Sequence, residues 1–199
     1  DKHMPKVIEL LSARGLSLAY ADYVGDNPDR ITATLQRAFA SADVVFSCGG
    51  IGATPDDHTR QCAGRALNQH LALHPEAEAL IRERRSARVR RLDMGMFPVG
   101  ARIMPTPYNK IPGFSCDGPG GGSVHFVPGF PVMAWPMIEW VLEHHYAAHF
   151  NRAPQTEQSV VVFGAMEASL TPLMEQIEKS HPDVRVFSLP SVDHPQYGR

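Results

Sequence analysis

Apolar residues in the first 150 positions follow two spacings, one typical of helices and the other of buried strands. Ile31, Leu35 and Phe39 recur at every fourth position, which places them on one face of a helix. Residues 27–29, Asn-Pro-Asp, combine a capping residue, a proline and an acidic residue, as helix starts do. Residues 43–48 form a short apolar run instead, which predicts a strand buried on both faces of a parallel sheet.

The remaining elements of this region are predicted in the same way. In chain order we expect a helix ending near Gly15, a strand over 17–24, helices over 55–67 and from 75 into the nineties, short strands over 97–128 and a helix from Pro131. The glycine-rich stretch 118–122 is a plausible hairpin connection within the short strands. Together these elements predict a three-layer α/β/α domain with a mostly parallel sheet and a small antiparallel patch.

Residues 151–199 have the pattern of a second, incomplete α/β unit. Residues 151–156 are polar and include a proline, which is typical of a linker. After them we predict a strand over 159–163, an amphipathic helix over 167–179 and a strand over 184–189. A strand-helix-strand unit of this length is too short to fold alone. We therefore predict one domain over 1–150 and the start of a small second unit over 151–199.

Composition and charge exclude several classes of partner. The 199 residues are 43% hydrophobic and 20% charged, with a formal net charge of −2, so no global field draws the protein to nucleic acid or to an anionic membrane. The arginines between 82 and 91 are balanced by nearby glutamates, which favours a solvated helix face. No apolar stretch approaches the roughly 20 residues needed to span a bilayer. Cys48, Cys62 and Cys116 lack any paired spacing and predict free thiols in a reducing compartment, by default the cytoplasm.

The stretch after the 43–48 strand combines features of a ligand-binding loop. Gly49, Gly50 and Gly52 allow a tight turn and a close approach of the backbone to a ligand. Thr54 can act as the N-cap of the next helix, with Asp57 at its third position. A helix that begins at the carboxyl end of a parallel strand offers free N–H groups and a positive dipole, so we predict an anion site here.

Two neighbouring aspartates, Asp56 and Asp57, modify this prediction. They can simply complement the dipole at the start of the helix, which is common. They can also bind a divalent cation, since Mg²⁺ habitually uses one or two carboxylates together with phosphate oxygens and water. The second interpretation indicates a metal-assisted phosphoryl or nucleotidyl site.

Several ordered segments resemble one known family. Residues 49–59, GGIGATPDDHT, resemble the signature GG(L/I)G(P/A)T-x-DD-x-T of the molybdopterin-binding fold, which molybdopterin adenylyltransferases share with the N-terminal part of CinA proteins. Residues 24–31 resemble the V-x-D-x(4)-I stretch of that family, and residues 127–131 with Met137 resemble its (L/V)PG-x-P...M segment. The resemblance covers about residues 1–150, and residues 158–190 look like the start of the CinA middle region.

The resemblance implies roles for individual residues. Asp56 and Asp57 would hold the metal or polarise a diphosphate, and Thr59 would face the same pocket and join them in catalysis. Residues that would contact the ligand or its phosphates are Gly49, Gly50, Gly52, Thr54, Asn109, Lys110, Pro128 and Gly129.

Three functions follow as hypotheses. CinA-type domains imply an ADP-ribose pyrophosphatase-like activity that uses Mg²⁺ or another divalent cation. The second hypothesis is binding or adenylylation of molybdopterin in molybdenum cofactor biosynthesis. The third is a ligand-binding module without turnover. All three imply a small nucleotide or pterin as partner, and the assemblies of the family imply a homo-oligomer.

Overall fold

The computed structural model describes residues 1–83, 89–105, 112–151 and 157–190. Its internal contacts divide the chain into two compact units, Asp1–Pro154 and Gln155–Arg199. Among the helices of the described ranges, none combines the length and the apolar character needed to cross a bilayer.

The first unit contains most of the regular structure. In chain order its elements are α1 (His3–Ser12), α2 (Pro28–Ala40), β1 (Val44–Cys48), α3 (Thr59–Leu67), β2 (Leu71–Leu73), α4 (Pro75–Arg82), a 3-10 helix (Val89–Gly95), β3 (Met96–Pro98), β4 (Arg102–Met104), β5 (Gly113–Asp117), β6 (Ser123–Val127), α5 (Pro131–His145) and a short 3-10 turn (Ala147–His149). Asn27 caps α2 as predicted, because its side-chain oxygen accepts hydrogen bonds of 3.0 Å from the amides of Asp29 and Arg30.

Four strands form the central sheet, in the order β1-β6-β5-β4. β1 and β6 pair in parallel, with Val44 opposite Ser123 and Cys48 opposite Val127. β6 with β5 and β5 with β4 pair antiparallel, which is the antiparallel patch that the sequence predicts. β2 and β3 form a separate antiparallel pair. The sheet is therefore mixed, and its parallel pair contains the strand that leads into the glycine loop.

Helices cover both faces of this sheet. Phe126 of β6 belongs to an apolar cluster that includes Phe39 of α2 and Ala63 of α3. The next residue, Val127, belongs to a second cluster that includes Leu10 of α1 and Met137 of α5. Because neighbouring residues of a strand point to opposite faces, the two clusters lie on the two sides of the sheet. The predicted three-layer α/β/α architecture is confirmed.

One predicted strand of the first unit is absent. Residues 17–24 contribute to neither sheet, so the central sheet has fewer parallel pairs than we predicted. They line, together with residues of β1, a cavity of about 1490 Å³. The segment is rich in strand-forming residues, but a strand needs a paired neighbour, and among the described strands β1 pairs with β6.

The second unit departs further from its prediction. Its helix, α6 (Glu167–Ser180), lies where we expect one. The strands predicted over 159–163 and 184–189 are not formed in the described part of this unit, 157–190. Val160 is 86% exposed and Val161 72% exposed, so these apolar side chains have no sheet to bury them.

Candidate ligand-binding site

The carboxyl ends of β1 and β6 bring two predicted site segments together. The amide of Gly49, just after β1, donates a 2.9 Å hydrogen bond to the carbonyl oxygen of Val127, the last residue of β6. A Cβ atom added to Gly129 would lie 3.5 Å from the Cα atom of Gly49, so the gap between the two turns is about the width of one methyl group. Two segments that are distant in sequence thus meet at this edge, and α3 and α5 both begin just beyond it.

Glycine is required where the loop leaves β1. Gly49 and Gly50 have φ angles of +102° and +68°, a region that other residues rarely adopt. A Cβ atom on Gly50 would lie 2.1 Å from the hydroxyl oxygen of Thr59. The amide of Thr59 also donates a 3.0 Å hydrogen bond to the carbonyl oxygen of Gly50. Thr59 is buried, and its position is therefore fixed against the glycine turn.

The helix after this loop begins later than predicted. α3 starts at Thr59, and the preceding residue His58 makes no side-chain capping bond. Thr54 is therefore not the N-cap of this helix, and Asp57 does not occupy its first turn. Instead the amide of Asp57 donates a 3.0 Å hydrogen bond to the carbonyl oxygen of Thr54, which closes a turn within the loop. The motif has the chemistry of a helix cap but forms a local turn, since Thr and Asp side chains satisfy backbone groups in both settings.

The carboxylate of Asp57 is held inside this turn. Its Oδ2 atom accepts hydrogen bonds from the amide of Thr54 at 2.8 Å and from the hydroxyl of Thr54 at 2.6 Å. Partial burial alone would raise the pKa of Asp57, but these hydrogen bonds, one from the amide of Gly52 and the nearby charge of Arg60 lower it below its usual value. Asp57 is ionised at neutral pH and already partnered.

Arg60, in the first turn of α3, was not singled out from the sequence. Its guanidinium donates hydrogen bonds to the carbonyl oxygens of Gly52 and Asp93. Burial lowers the pKa of Arg60, and the charges of Asp57 and Asp93 oppose that shift. Sequence analysis missed Arg60 because an arginine on a helix is usually solvated, and only its burial distinguishes it.

Asp56 contrasts with its neighbour because its side chain is exposed. In the described part of the chain, no group of three or more His, Cys, Asp or Glu side chains is arranged to hold a metal ion. A magnesium ion bound through one or two carboxylates, phosphate oxygens and water does not require such a group. The donor chemistry of Asp56 and Asp57 is compatible with that mode of binding, and Asp56 is the less engaged of the two.

The turn before α5 carries the other predicted ligand contacts. Pro128 is half-buried and Gly129 is exposed, and α5 begins two residues later at Pro131. Nε2 of His3 lies 2.8 Å from the carbonyl oxygen of Gly129 and links the start of α1 to this turn. His3 was not predicted as a site residue, because no local pattern indicates a contact across 126 positions.

The predicted site residues fall into two groups. Gly49, Gly50 and Thr59 line the cavity of about 1490 Å³, which His3 also borders. The other described site residues do not line this cavity; they are Gly52, Thr54, Asp56 and Asp57 of the loop and Pro128 and Gly129 of the turn before α5. Asn109 and Lys110 lie outside the described residues.

Cys48 adjoins the loop, and its thiol is held in the protonated form. The residue is partly exposed, but desolvation of its sulfur raises the pKa of Cys48 to about 11, which does not favour a thiolate nucleophile at neutral pH. The cysteines of the chain are free thiols, in agreement with the sequence.

A second polar cluster lies within the sheet, away from the loop. His125 of β6 is fully buried; its Nδ1 atom lies 2.7 Å from the hydroxyl of Ser115, and its Nε2 atom lies 2.8 Å from the hydroxyl of Tyr146. Burial lowers the pKa of His125 to about 4, so the ring is neutral at neutral pH. Both ring nitrogens are occupied, which indicates a structural role.

Comparison with known proteins identifies the family. Residues 1–148 match the family model described as a probable molybdopterin binding domain. A protein from Pyrobaculum calidifontis is 32% identical over 185 residues, which cover 90% of this chain and 70% of that protein. A putative competence-damage inducible protein from Alkaliphilus metalliredigens is 34% identical over 148 residues, which cover 72% of this chain and 35% of that relative.

A solved structure has the same fold. The crystal structure of the protein CinA with unknown function, from Thermoplasma acidophilum, superimposes with a TM-score of 0.65 at 26% identity, covering 72% of this chain and 87% of that one. This chain spans about a third of the competence-damage inducible relative. The fold, the glycine loop and these matches together show that the chain belongs to the family of molybdopterin-binding domains, among its CinA-related members.

Proposed function

We propose that this domain binds a nucleoside diphosphate at the shared edge of β1 and β6 and, with a divalent cation, hydrolyses its diphosphate linkage. The observation that carries the proposal is the 2.9 Å hydrogen bond from the Gly49 amide to the Val127 carbonyl oxygen, which joins the turn after β1 to the turn before α5. Glycine backbone next to the starts of two helices suits a ligand that carries several negative charges. ADP-ribose is the substrate class that the resemblance to CinA proteins suggests.

The loop residues have separate tasks in this proposal. Amides in the first turns of α3 and α5, other than that of Thr59, which donates to Gly50, bind phosphate oxygens, while the Asp57 turn keeps the loop in shape. Asp56, with Asp57 beside it, would hold Mg²⁺ or a similar ion, which neutralises charge on the diphosphate. Thr59 borders the cavity next to Gly50 and helps to orient the ligand.

The test is turnover of ADP-ribose with and without Mg²⁺ or Co²⁺. Water and ADP-ribose should give AMP and ribose 5-phosphate, and the reaction should stop when the metal is chelated. Asp56→Asn should reduce the rate by about a hundredfold or more, since electrostatic stabilisation of this kind is typically worth 10²–10³. Asp183→Asn, at an exposed aspartate of the second unit, is the matched control and should leave the rate unchanged.

A second candidate function is binding or adenylylation of molybdopterin, which the description of the matching family favours. Thermal unfolding with a molybdopterin preparation, with and without ATP, separates the candidates. Stabilisation by the pterin without any AMP from ADP-ribose would contradict the pyrophosphatase proposal and favour a binding domain. Formation of an adenylylated pterin would favour the transferase.

A further inference from the structure

Arg60 is the most buried charged side chain near the candidate site. It is only 4% exposed, and its Nε atom is buried without a hydrogen-bond partner. Burial of a charge is costly unless the charge is neutralised and fully hydrogen-bonded. An apolar residue at this position of α3 would avoid that cost. The guanidinium is therefore poorly explained by stability alone.

The contacts of Arg60 suggest what it does. One arm of the guanidinium reaches the carbonyl oxygen of Gly52 in the site loop, and the other reaches the carbonyl oxygen of Asp93 in the 3-10 helix Val89–Gly95. These two segments belong to different parts of the chain. A planar guanidinium can hold two separated carbonyl groups at once in a fixed geometry, which the single ammonium of lysine cannot do.

The loop depends on such contacts because residues 49–58 contain no helix or strand. Its two ends are joined by the bond from Thr59 to Gly50, and its middle is held by the bonds between Thr54 and Asp57. Gly52 precedes this inner turn, and a Cβ atom there would be 2.5 Å from the Asp57 carboxylate. The hydrogen bond from Arg60 to the Gly52 carbonyl therefore holds the stretch of backbone against which the Asp57 side chain packs.

We propose that Arg60 is a positioning residue that braces the loop Gly52–Asp57 against the 3-10 helix Val89–Gly95 and so fixes the candidate ligand site. The effect on ligand affinity rests on the proposed function, whereas the effect on the loop does not. Arg60 itself touches no ligand in this proposal. It acts by holding the backbone to which Asp57 and Thr54 are attached.

Hydrogen exchange of individual amides tests the brace directly. In Arg60→Met, the amides of Thr54 and Asp57, which are bonded inside the loop, should exchange at least tenfold faster than in the wild type. Amides of β6 should keep their rates, which separates a local effect from a loss of global stability. Arg60→Lys should give an intermediate acceleration because it retains the charge but can reach only one carbonyl.

Arg65→Met is the matched control. Arg65 lies on the same helix with its side chain 50% exposed, and its pair with Asp29 is 3.5 Å long. This variant should leave exchange in the loop unchanged. Wild-type exchange at Thr54 and Asp57 in a folded Arg60→Met protein would overturn the proposal, and so would equal acceleration by Arg65→Met. If Arg60→Met does not fold, Arg60→Lys takes its place, and exchange of the Thr54 and Asp57 amides at the wild-type rate in that variant would overturn the proposal.

Calorimetric binding of ADP-ribose with Mg²⁺ adds the functional readout. Arg60→Met should weaken binding at least tenfold, and Arg60→Lys should recover part of that loss. No binding by the wild type would contradict the proposed function while the exchange result still stands. Equal affinity of wild type and Arg60→Met, with a loosened loop, would overturn the link between the brace and the ligand.

Discussion

Two polar clusters of the first unit differ in how completely their hydrogen bonds are used. Within the sheet, His125 contacts Ser115 and Tyr146 with both ring nitrogens. At the glycine loop, Arg60 retains a buried Nε atom without a partner, and the adjacent Asp56 is exposed. A saturated buried network fixes a single packing arrangement, whereas an exposed carboxylate beside a loop held by Arg60 leaves capacity for a ligand or a cation. The difference separates a structural cluster from a candidate functional one.

Loss of the His125 ring should lower the stability of the protein more than any other change considered. We expect His125→Ala to lower the free energy of unfolding by about 3–4 kcal/mol, because it opens a cavity and leaves the hydroxyls of Ser115 and Tyr146 without their partner. Urea denaturation measures this. A loss below about 1 kcal/mol would mean that the network contributes little to stability.

Acidification should weaken the same cluster without a mutation. The pKa of His125 is about 4 in the folded protein, against the usual value of 6.5 for histidine, so the unfolded chain binds more protons between these pH values. Stability should therefore fall as the pH drops from about 6.5 to 4, by up to about 3 kcal/mol. Thermal unfolding across this range should show a slope that His125→Gln removes, and an unchanged slope in that variant would assign it to other groups.

The glycine turn offers a matched pair of substitutions. Gly50 and Gly121 both have positive φ angles, but a Cβ atom on Gly50 meets the hydroxyl of Thr59, whereas one on Gly121 meets open space. We expect Gly50→Ala to cost about 2–3 kcal/mol and Gly121→Ala about 1 kcal/mol, the cost of the backbone conformation alone. Chemical denaturation of both variants provides the comparison, and equal losses would show that Thr59 moves aside easily.

The two aspartates should show the smallest and most selective effects. Asp57→Asn should cost about 1 kcal/mol, since it weakens the two hydrogen bonds from Thr54. Asp56→Asn should change stability by less than about 0.5 kcal/mol because that side chain is exposed. Differential scanning fluorimetry with and without Mg²⁺ measures both. A larger stability loss in Asp56→Asn would reverse the roles assigned to this pair.

Local chemistry explains which parts of the fold were predictable. Asn27 and the apolar stripe of α2 are adjacent in sequence, so their pattern and their structure coincide. The start of α3 was predicted too early, because Thr54 and Asp57 make the side-chain bonds of a cap without a helix behind them. The strands predicted in the second unit failed for a different reason. An apolar run such as 159–163 specifies a strand only if another strand pairs with it.

The candidate site shows the same division between local and distant information. The glycines of the loop could be recognised from sequence because a tight turn after a strand needs them. The burial of β1 on both faces was predicted wrongly, since its ends are exposed and its middle is half-buried. The contacts of Arg60 with Asp93 and of His3 with Gly129 join distant positions, and no periodicity encodes them. These two contacts arise only when the folded sheet and its helices bring the distant segments together.

The parallel pairing of β1 with β6 has a consequence for synthesis of the protein. In the described sheet β1 has no other paired neighbour, so the nascent chain must extend to Val127 before β1 is paired. The approach of Gly129 to Gly49 follows later still. Until then the apolar β1 segment leaves the ribosome unpaired, and long-range parallel pairing is slow. The ligand pocket is therefore completed late in the synthesis of the first unit, and chaperone dependence during translation should be concentrated in the interval between the emergence of β1 and that of β6.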